Sequence, residues 1–425
     1  MSKYLQPLMA VLSLSIVILA CVIPLPQVPP TLSSGTTIPP ASPDPNQVGT
    51  AVAMTLTALF PRGSDATAIT SSTPAPDGST ALLPHALYYL DTDSAGLMQV
   101  FRMERDGTTQ HQVTSESVSV GDYDVSLIDG AVAYVANNQL LYINTDGSER
   151  RILVDGGEVD PNNPFINTIS SPVFSHDGQS LAYGYKGLQI YSFSTSESKL
   201  LIENQIDDVG GGLFVPRELY EPERYSPDGT KLLITLAYYE GASSAIYDPA
   251  TNALVRLQGG EGALICCEDT EWSADSSSIY AGSPTAGMFS SGLWKINAAT
   301  GNVTTLIQGE AGGGNYNAAD EPYLAPDGQL YFFFATVANA EGVFNRTPLQ
   351  LVRSAPDGVT GRTVLSGEDF QLLNEALWAP DASFAVVAIA PTQEVYQGGQ
   401  AEIVYLDGKP NVTLTPFALQ MKWGP

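Results

Sequence analysis

From residue 82 onward the apolar residues fall in short alternating runs rather than at helical spacing. Val132-Ala133-Tyr134, Leu181-Ala182-Tyr183 and Leu232-Leu233-Ile234 each follow a polar turn, which predicts short strands. One motif opens these runs repeatedly: an aromatic or apolar residue, a small residue, Pro or a substitute, Asp, then Gly. It reads Phe174-Ser175-His176-Asp177-Gly178, Tyr225-Ser226-Pro227-Asp228-Gly229, Trp272-Ser273-Ala274-Asp275, Leu324-Ala325-Pro326-Asp327-Gly328 and Trp378-Ala379-Pro380-Asp381. An eroded copy runs from Val125-Ser126 to Gly130, and Trp423-Gly424-Pro425 opens another. The small residues Ser126, Ser175, Ser226, Ser273, Ala325, Ala379 and Gly424 recur about every fifty positions, a period that predicts a propeller.

Between copies the order is constant: strand, strand, a Gly/Asp turn, strand. The turns include Asp146-Gly147, Thr300-Gly301, Asp357-Gly358 and Asp407-Gly408. Gly accepts positive φ there and Asp bonds nearby backbone N–H groups. Residues 86–90, 97–103 and 110–114 read as the second, third and fourth strands of a blade without a first, and 417–423 as a first strand without the rest. Joining them predicts an all-β, seven-bladed propeller of four-stranded antiparallel blades closed by overlap of the two chain ends, with six or eight blades as the alternative counts. Closure removes the unpaired edge that an open array would expose. The motif resembles that of the TolB-type, WD40-like propellers, and the resemblance covers residues 82–425. TolB-type proteins have an N-terminal α/β domain and six blades, so the resemblance implies the fold and not a Tol–Pal role.

The amino-terminal part is different. Residues 1–20 combine Lys3 with an apolar run from Leu8 to Ala20, which reads as a signal peptide. The run ends in Ile18-Leu19-Ala20-Cys21, which resembles the bacterial lipobox and implies lipidation of Cys21. The alternative is an ordinary secretory signal with a chance cysteine. Residues 21–81 are rich in Pro, Ser and Thr and have little apolar area to offset chain entropy, so they read as a tether. Val48, Val52, Leu56 and Leu59 predict a short amphipathic helix at about 47–60. Together these features predict a lipid-anchored, extracytoplasmic protein of the bacterial cell envelope.

Composition narrows the function. The 425 residues carry 18 Lys and Arg against 45 Asp and Glu, a formal charge of −27, which disfavours a nucleic-acid partner. Three Cys and three His leave no disulfide scaffold and few ligands for a His-rich metal site. The motif aspartates are expected to cap turns, and the motif aromatics to pack between blades. Four positions before the small residue, the occupants are Asp122, Ser171, Pro222, Asp269, Glu321, Glu375 and Gln420, with Glu223 and Glu271 nearby. These acids are expected near a mouth of the axial channel, as a rim for Ca²⁺ or a cationic partner; no other cofactor is implied. Stretches 203–222 and 309–321, with their triple glycines, are expected to be partner-contact loops. Cys266-Cys267 can form a vicinal disulfide or remain as two thiols. No nucleophile–base constellation or GxSxG elbow is present. The resulting expectation is a non-catalytic protein- or peptide-binding module with a monomeric propeller. A glycan hydrolase or lyase using funnel carboxylates and a structural envelope spacer are the rival readings.

Overall fold

The computed structural model describes residues 81–239, 241–259, 270–284, 291–338 and 346–425. The expected signal peptide, Cys21, the 21–80 part of the tether with its 47–60 helix, Cys266, Cys267 and Asp269 lie outside the described residues.

Each motif copy builds its turn as its residue types require. Asp177 Oδ1 accepts hydrogen bonds from Ser175 Oγ (2.6 Å) and the Gln179 N–H (3.0 Å), while Ser175 Oγ accepts the Ser180 N–H (3.0 Å). Asp228 does the same with Ser226 Oγ (2.7 Å) and the Thr230 N–H (3.0 Å), and Asp275 with Ser273 Oγ (2.6 Å) and the Ser277 N–H (3.0 Å). These bonds favour the carboxylate. The Ser273 and Ser277 side chains hold Asp275 down to about 2, and Ser226 and Thr230 hold Asp228 well below the usual carboxylate range. The expected capping role of these aspartates is what the structure shows.

The turns join strands into antiparallel four-strand sets. Blade I contains Asp122–Val125, Val132–Ala136, Gln139–Ile143 and Arg151–Asp155. Blade II contains Ser170–Phe174, Ser180–Gly184, Gly187–Ser192 and Glu197–Glu203. Blade III contains Phe214–Tyr225, Leu232–Tyr238, Gly241–Asp248 and Ala253–Arg256. Blade IV contains Thr270–Trp272, Ser278–Ser283, Gly292–Asn297 and Asn302–Gln308. Blade V contains Asn315–Leu324, Leu330–Val337, Leu349–Ser354 and Thr363–Phe370. Blade VI contains Leu373–Trp378, Phe384–Ile389, Gly399–Tyr405 and the first part of Val412–Trp423.

The last strand continues past blade VI to open blade VII. There Trp423, Lys422 and Leu419 pair with Leu87, Tyr88 and Leu90 of Leu87–Thr92, which is followed by Met98–Met103 and Gln110–Gln112. The two ends of the repeat region therefore share one sheet, as the missing first strand predicted.

Successive strand residues face opposite sides, so each blade feeds two cores. Leu232 and Ile234 pack against blade II, while Leu233 packs against blade IV. Among the described residues the buried apolar side chains form seven clusters, each shared by two neighbouring blades; one joins Tyr88 and Val100 of blade VII to Val132 and Tyr134 of blade I. Each fully buried side chain of this kind contributes about 1.5–3 kcal/mol, but only when a neighbour covers it. That mutual covering makes the ring a unit.

The expected loops at 203–222 and 309–321 are largely strand. Gln205–Asp208 pairs with the start of Phe214–Tyr225, and Glu310–Gly312 with the start of Asn315–Leu324. The triple glycines form the hairpin tips, with φ between +63° and +90°. Backbone pairing does not require apolar alternation, so the polar, glycine-rich sequence concealed these strands.

Candidate functional site

The first strands of all seven blades line one cavity of about 470 Å³. Its wall carries seven carboxylates and the two cations Arg224 and Lys422. Aromatic side chains of the motif, Phe174, Tyr225, Trp378 and Trp423, also line it.

The strands that build this wall share an irregularity. Register slips in the first strand of blades II, III, V, VI and VII. Ser171, Glu321 and Gln420, at equivalent positions in three of these slips, have φ of 52°, 47° and 55°. Non-glycine residues rarely adopt this left-handed backbone, so its recurrence marks a built feature. A bulge leaves backbone groups without a ladder partner and re-aims side chains.

The carboxylates four positions before the small residue take up those freed N–H groups. Asp122 Oδ2 accepts from the Ser171 N–H (3.0 Å), Glu321 Oε1 from the Ala376 N–H (3.0 Å), and Glu375 Oε1 from the Met421 N–H (2.6 Å). Each bond runs from one blade to the next. These acids thus line the cavity and also staple neighbouring blades. In the long first strands of blades III and V this level lies well inside the strand, not at its entry. Glu223 accepts a hydrogen bond from Thr235 Oγ1 within its own blade.

Of a second charged level, sequence reasoning named only Glu271. Asp124, Arg224, Glu271 and Lys422 all stand two positions before the small residue of their blades. Lys422 Nζ lies 2.8 Å from Asp124 Oδ1 across the VII–I joint, and Arg224 pairs with Glu271 across the III–IV joint. Burial opposes the Arg224 charge, but Glu271 and Glu223 outweigh it and hold the guanidinium above the usual arginine range. Burial pushes Asp122 up to about 6 despite the nearby Lys422 ammonium. The signal was available: opposite charges occupy one offset in consecutive repeats.

The aromatic residues bridge blades as expected. Trp378 Nε1–H donates to the Glu321 carbonyl (3.0 Å), its ring stacks on Tyr323 at 5.7 Å, and Trp423 Nε1–H donates to the Trp378 carbonyl (2.8 Å). Blade IV departs from this scheme. Trp272 is buried, yet its Nε1 has no hydrogen-bond partner among the described residues; neither does Oγ1 of Thr270, a cavity-lining residue that is 5% exposed.

Among the described residues, no group of three or more His, Cys, Asp or Glu is placed to hold a metal ion, and no helix is long and apolar enough to cross a membrane. His85 lies against Trp423, His111 near Glu104 and His176 at the cavity wall.

No protein-family model matches the chain, and no curated protein matches it in sequence. Solved structures do resemble it. A prolyl endopeptidase aligns over 83% of the chain with TM-score 0.51 and 12% identity, and the chain spans 50% of that protein. TolB from Acinetobacter baumannii aligns over 76% of the chain and 77% of its own length, with TM-score 0.40 and 16% identity. An oligogalacturonate lyase solved with manganese aligns over 77% and 84%, with TM-score 0.48 and 10% identity. Identities this low concern the fold alone. The fold is a β-propeller, as the repeated motif indicated.

Proposed function

We propose that this chain is a lipid-anchored, extracytoplasmic binding module of the bacterial cell envelope, which takes a protein or peptide ligand at its axial cavity and performs no chemistry on it. The observation that supports this reading is the cavity itself: it is lined by all seven blades, large enough for several side chains, and charged. Its acids support binding better than glycoside cleavage. Hydrolysis needs one carboxylic acid and one opposed carboxylate free to act on a sugar, whereas Asp122, Glu321 and Glu375 accept backbone N–H bonds and Glu271 is held by Arg224. The lipid anchor rests on Cys21 in its lipobox-like sequence.

The test is peptide selection on the purified full chain, repeated with Leu127→Arg. Leu127 lines the cavity and is 50% exposed, so the substitution adds bulk and charge at little expense to folding. Selected peptides should bind saturably to the parent and at least about tenfold more weakly to the variant. Peptides that ignore the substitution, or release of reducing ends from a soluble polysaccharide by the chain, would count against this reading.

A further inference from the structure

The cavity meets solvent at the motif-turn end of the ring, and its rim there is apolar. Leu127, His176 and Pro380, all in motif turns, belong to its lining. Leu127 is 50% exposed, so the cavity is open at this end, and its neighbour Ile128 is 63% exposed. Where the other complete copies carry His, Pro or Ala followed by Asp, this turn carries two large apolar residues. On blades V and VI, Tyr323 lines the same cavity and donates its hydroxyl to the Pro380 carbonyl (2.8 Å), which adds an aromatic ring and a proline to the rim. One exposed leucine is ordinary. A pair of large aliphatic side chains at the rim of a cavity with aromatic walls is the kind of patch that marks an interaction site.

Charge names the occupant. Each of the six complete motif turns around this rim carries an exposed aspartate: Asp129, Asp177, Asp228, Asp275, Asp327 and Asp381. The same turns hold two basic side chains, His176 and Lys231. Serine hydroxyls hold Asp177, Asp228, Asp275 and Asp381 below the usual carboxylate range, so the rim keeps its charge well into the acid range. Such a rim attracts a basic segment and repels an acidic one or an anionic lipid surface.

We propose that the motif-turn mouth docks a protein segment in which one large apolar side chain is flanked by lysine or arginine. The apolar side chain enters the mouth beside Leu127 and Ile128, and the basic residues reach the turn aspartates. This division into a buried anchor and a charged rim is common to specific interfaces. The inference rests on the proposed peptide-binding function and adds to it the face of entry and the character of the ligand sequence.

The full chain is titrated calorimetrically at low salt with three capped peptides: phenylalanine between two pairs of lysines, the same peptide with alanine for phenylalanine, and the same peptide with serine for every lysine. The first should saturate, and the other two should bind at least about tenfold more weakly. Raising the salt to about 0.5 M should weaken the first about tenfold, because exposed charges are screened. The double variant Leu127→Ser, Ile128→Ser removes two exposed side chains, so it should keep the parent melting temperature and lose about tenfold in affinity for the first peptide. Equal binding of the alanine peptide would overturn the apolar anchor, and equal binding of the serine peptide or indifference to salt would overturn the role of the aspartates. Unchanged affinity in the double variant would overturn the docking place. No saturation with any of the three would overturn the inference alone if unbiased peptide selection still returns ligands sensitive to Leu127→Arg, and the binding function with it if selection returns none.

Discussion

The joints that run from blade V through VI to VII and the joint between blades III and IV come from one repeated motif, yet they are closed by different means. In the first region a carboxylate accepts a backbone N–H from the next blade and a tryptophan N–H donates back, at Glu321–Ala376, Glu375–Met421, Trp378–Glu321 and Trp423–Trp378. In the second, Arg224 pairs with Glu271 and Ser276 Oγ accepts the Asp228 N–H at 3.0 Å, while Thr270 Oγ1 and Trp272 Nε1 stay unpaired among the described residues. Repetition of a motif therefore does not imply repetition of its task. One arc uses its polar atoms to hold the ring, and the other leaves two of them buried without a partner among the described residues.

Substitutions can break this contrast. Glu375→Ala should have the largest effect. It removes a charge-assisted acceptor and orphans the Met421 N–H beside a bulge, so urea unfolding should show a loss of about 2–3 kcal/mol. Trp378→Phe keeps the ring stacking but leaves the Glu321 carbonyl without its indole donor, and should lose about 1–2 kcal/mol. Trp272→Phe is the matched control in the other arc. Both substitutions lose packing, but Trp272→Phe has no hydrogen bond to lose, so it should cost about 1 kcal/mol less than Trp378→Phe, and equal losses would erase the distinction.

The smallest effect concerns acidity. Asp122 is raised to about 6 in the folded chain, so folding favours its protonated form. That contribution is complete below the unfolded value near 4 and is lost as pH rises through about 6. The turn aspartates act in the opposite sense. Asp275, held near 2, contributes stability above about 4 that is lost as pH falls toward 2. Asp122→Asn should flatten the decline in urea midpoint between pH 4.5 and 7 and leave the acid limb unchanged. A parent midpoint that rises across that interval, with the variant following it, would show that Asp122 titrates normally.

The fold was legible because propellers announce themselves through turns. The Asp and small residue of each copy make local bonds that depend on no distant contact, so sequence spacing could place them, and the unmatched strands at the two ends pointed to closure. The cavity was legible only in part. Asp122, Glu321 and Glu375 were recognised as a recurrent offset, but their backbone-stapling role depends on the bulges beside them. A bulge changes which way a side chain points without changing its residue type. The level of Asp124, Arg224, Glu271 and Lys422, of which only Glu271 was named, was missed for a different reason. Its charges differ in sign, so a search for recurring acids passes over them although their register is regular. Thr270 carried no sequence signal, because an unpaired hydroxyl is defined by its surroundings.

The strand Val412–Trp423 belongs to two blades at once, and Leu87–Thr92 lies between it and Met98–Met103. A pull applied at residue 81 therefore enters a strand that is gripped along both flanks, not one that can be peeled from an edge. The amino-terminal entry to the ring coincides with its clasp, so tension applied there meets several hydrogen bonds together before any blade is released.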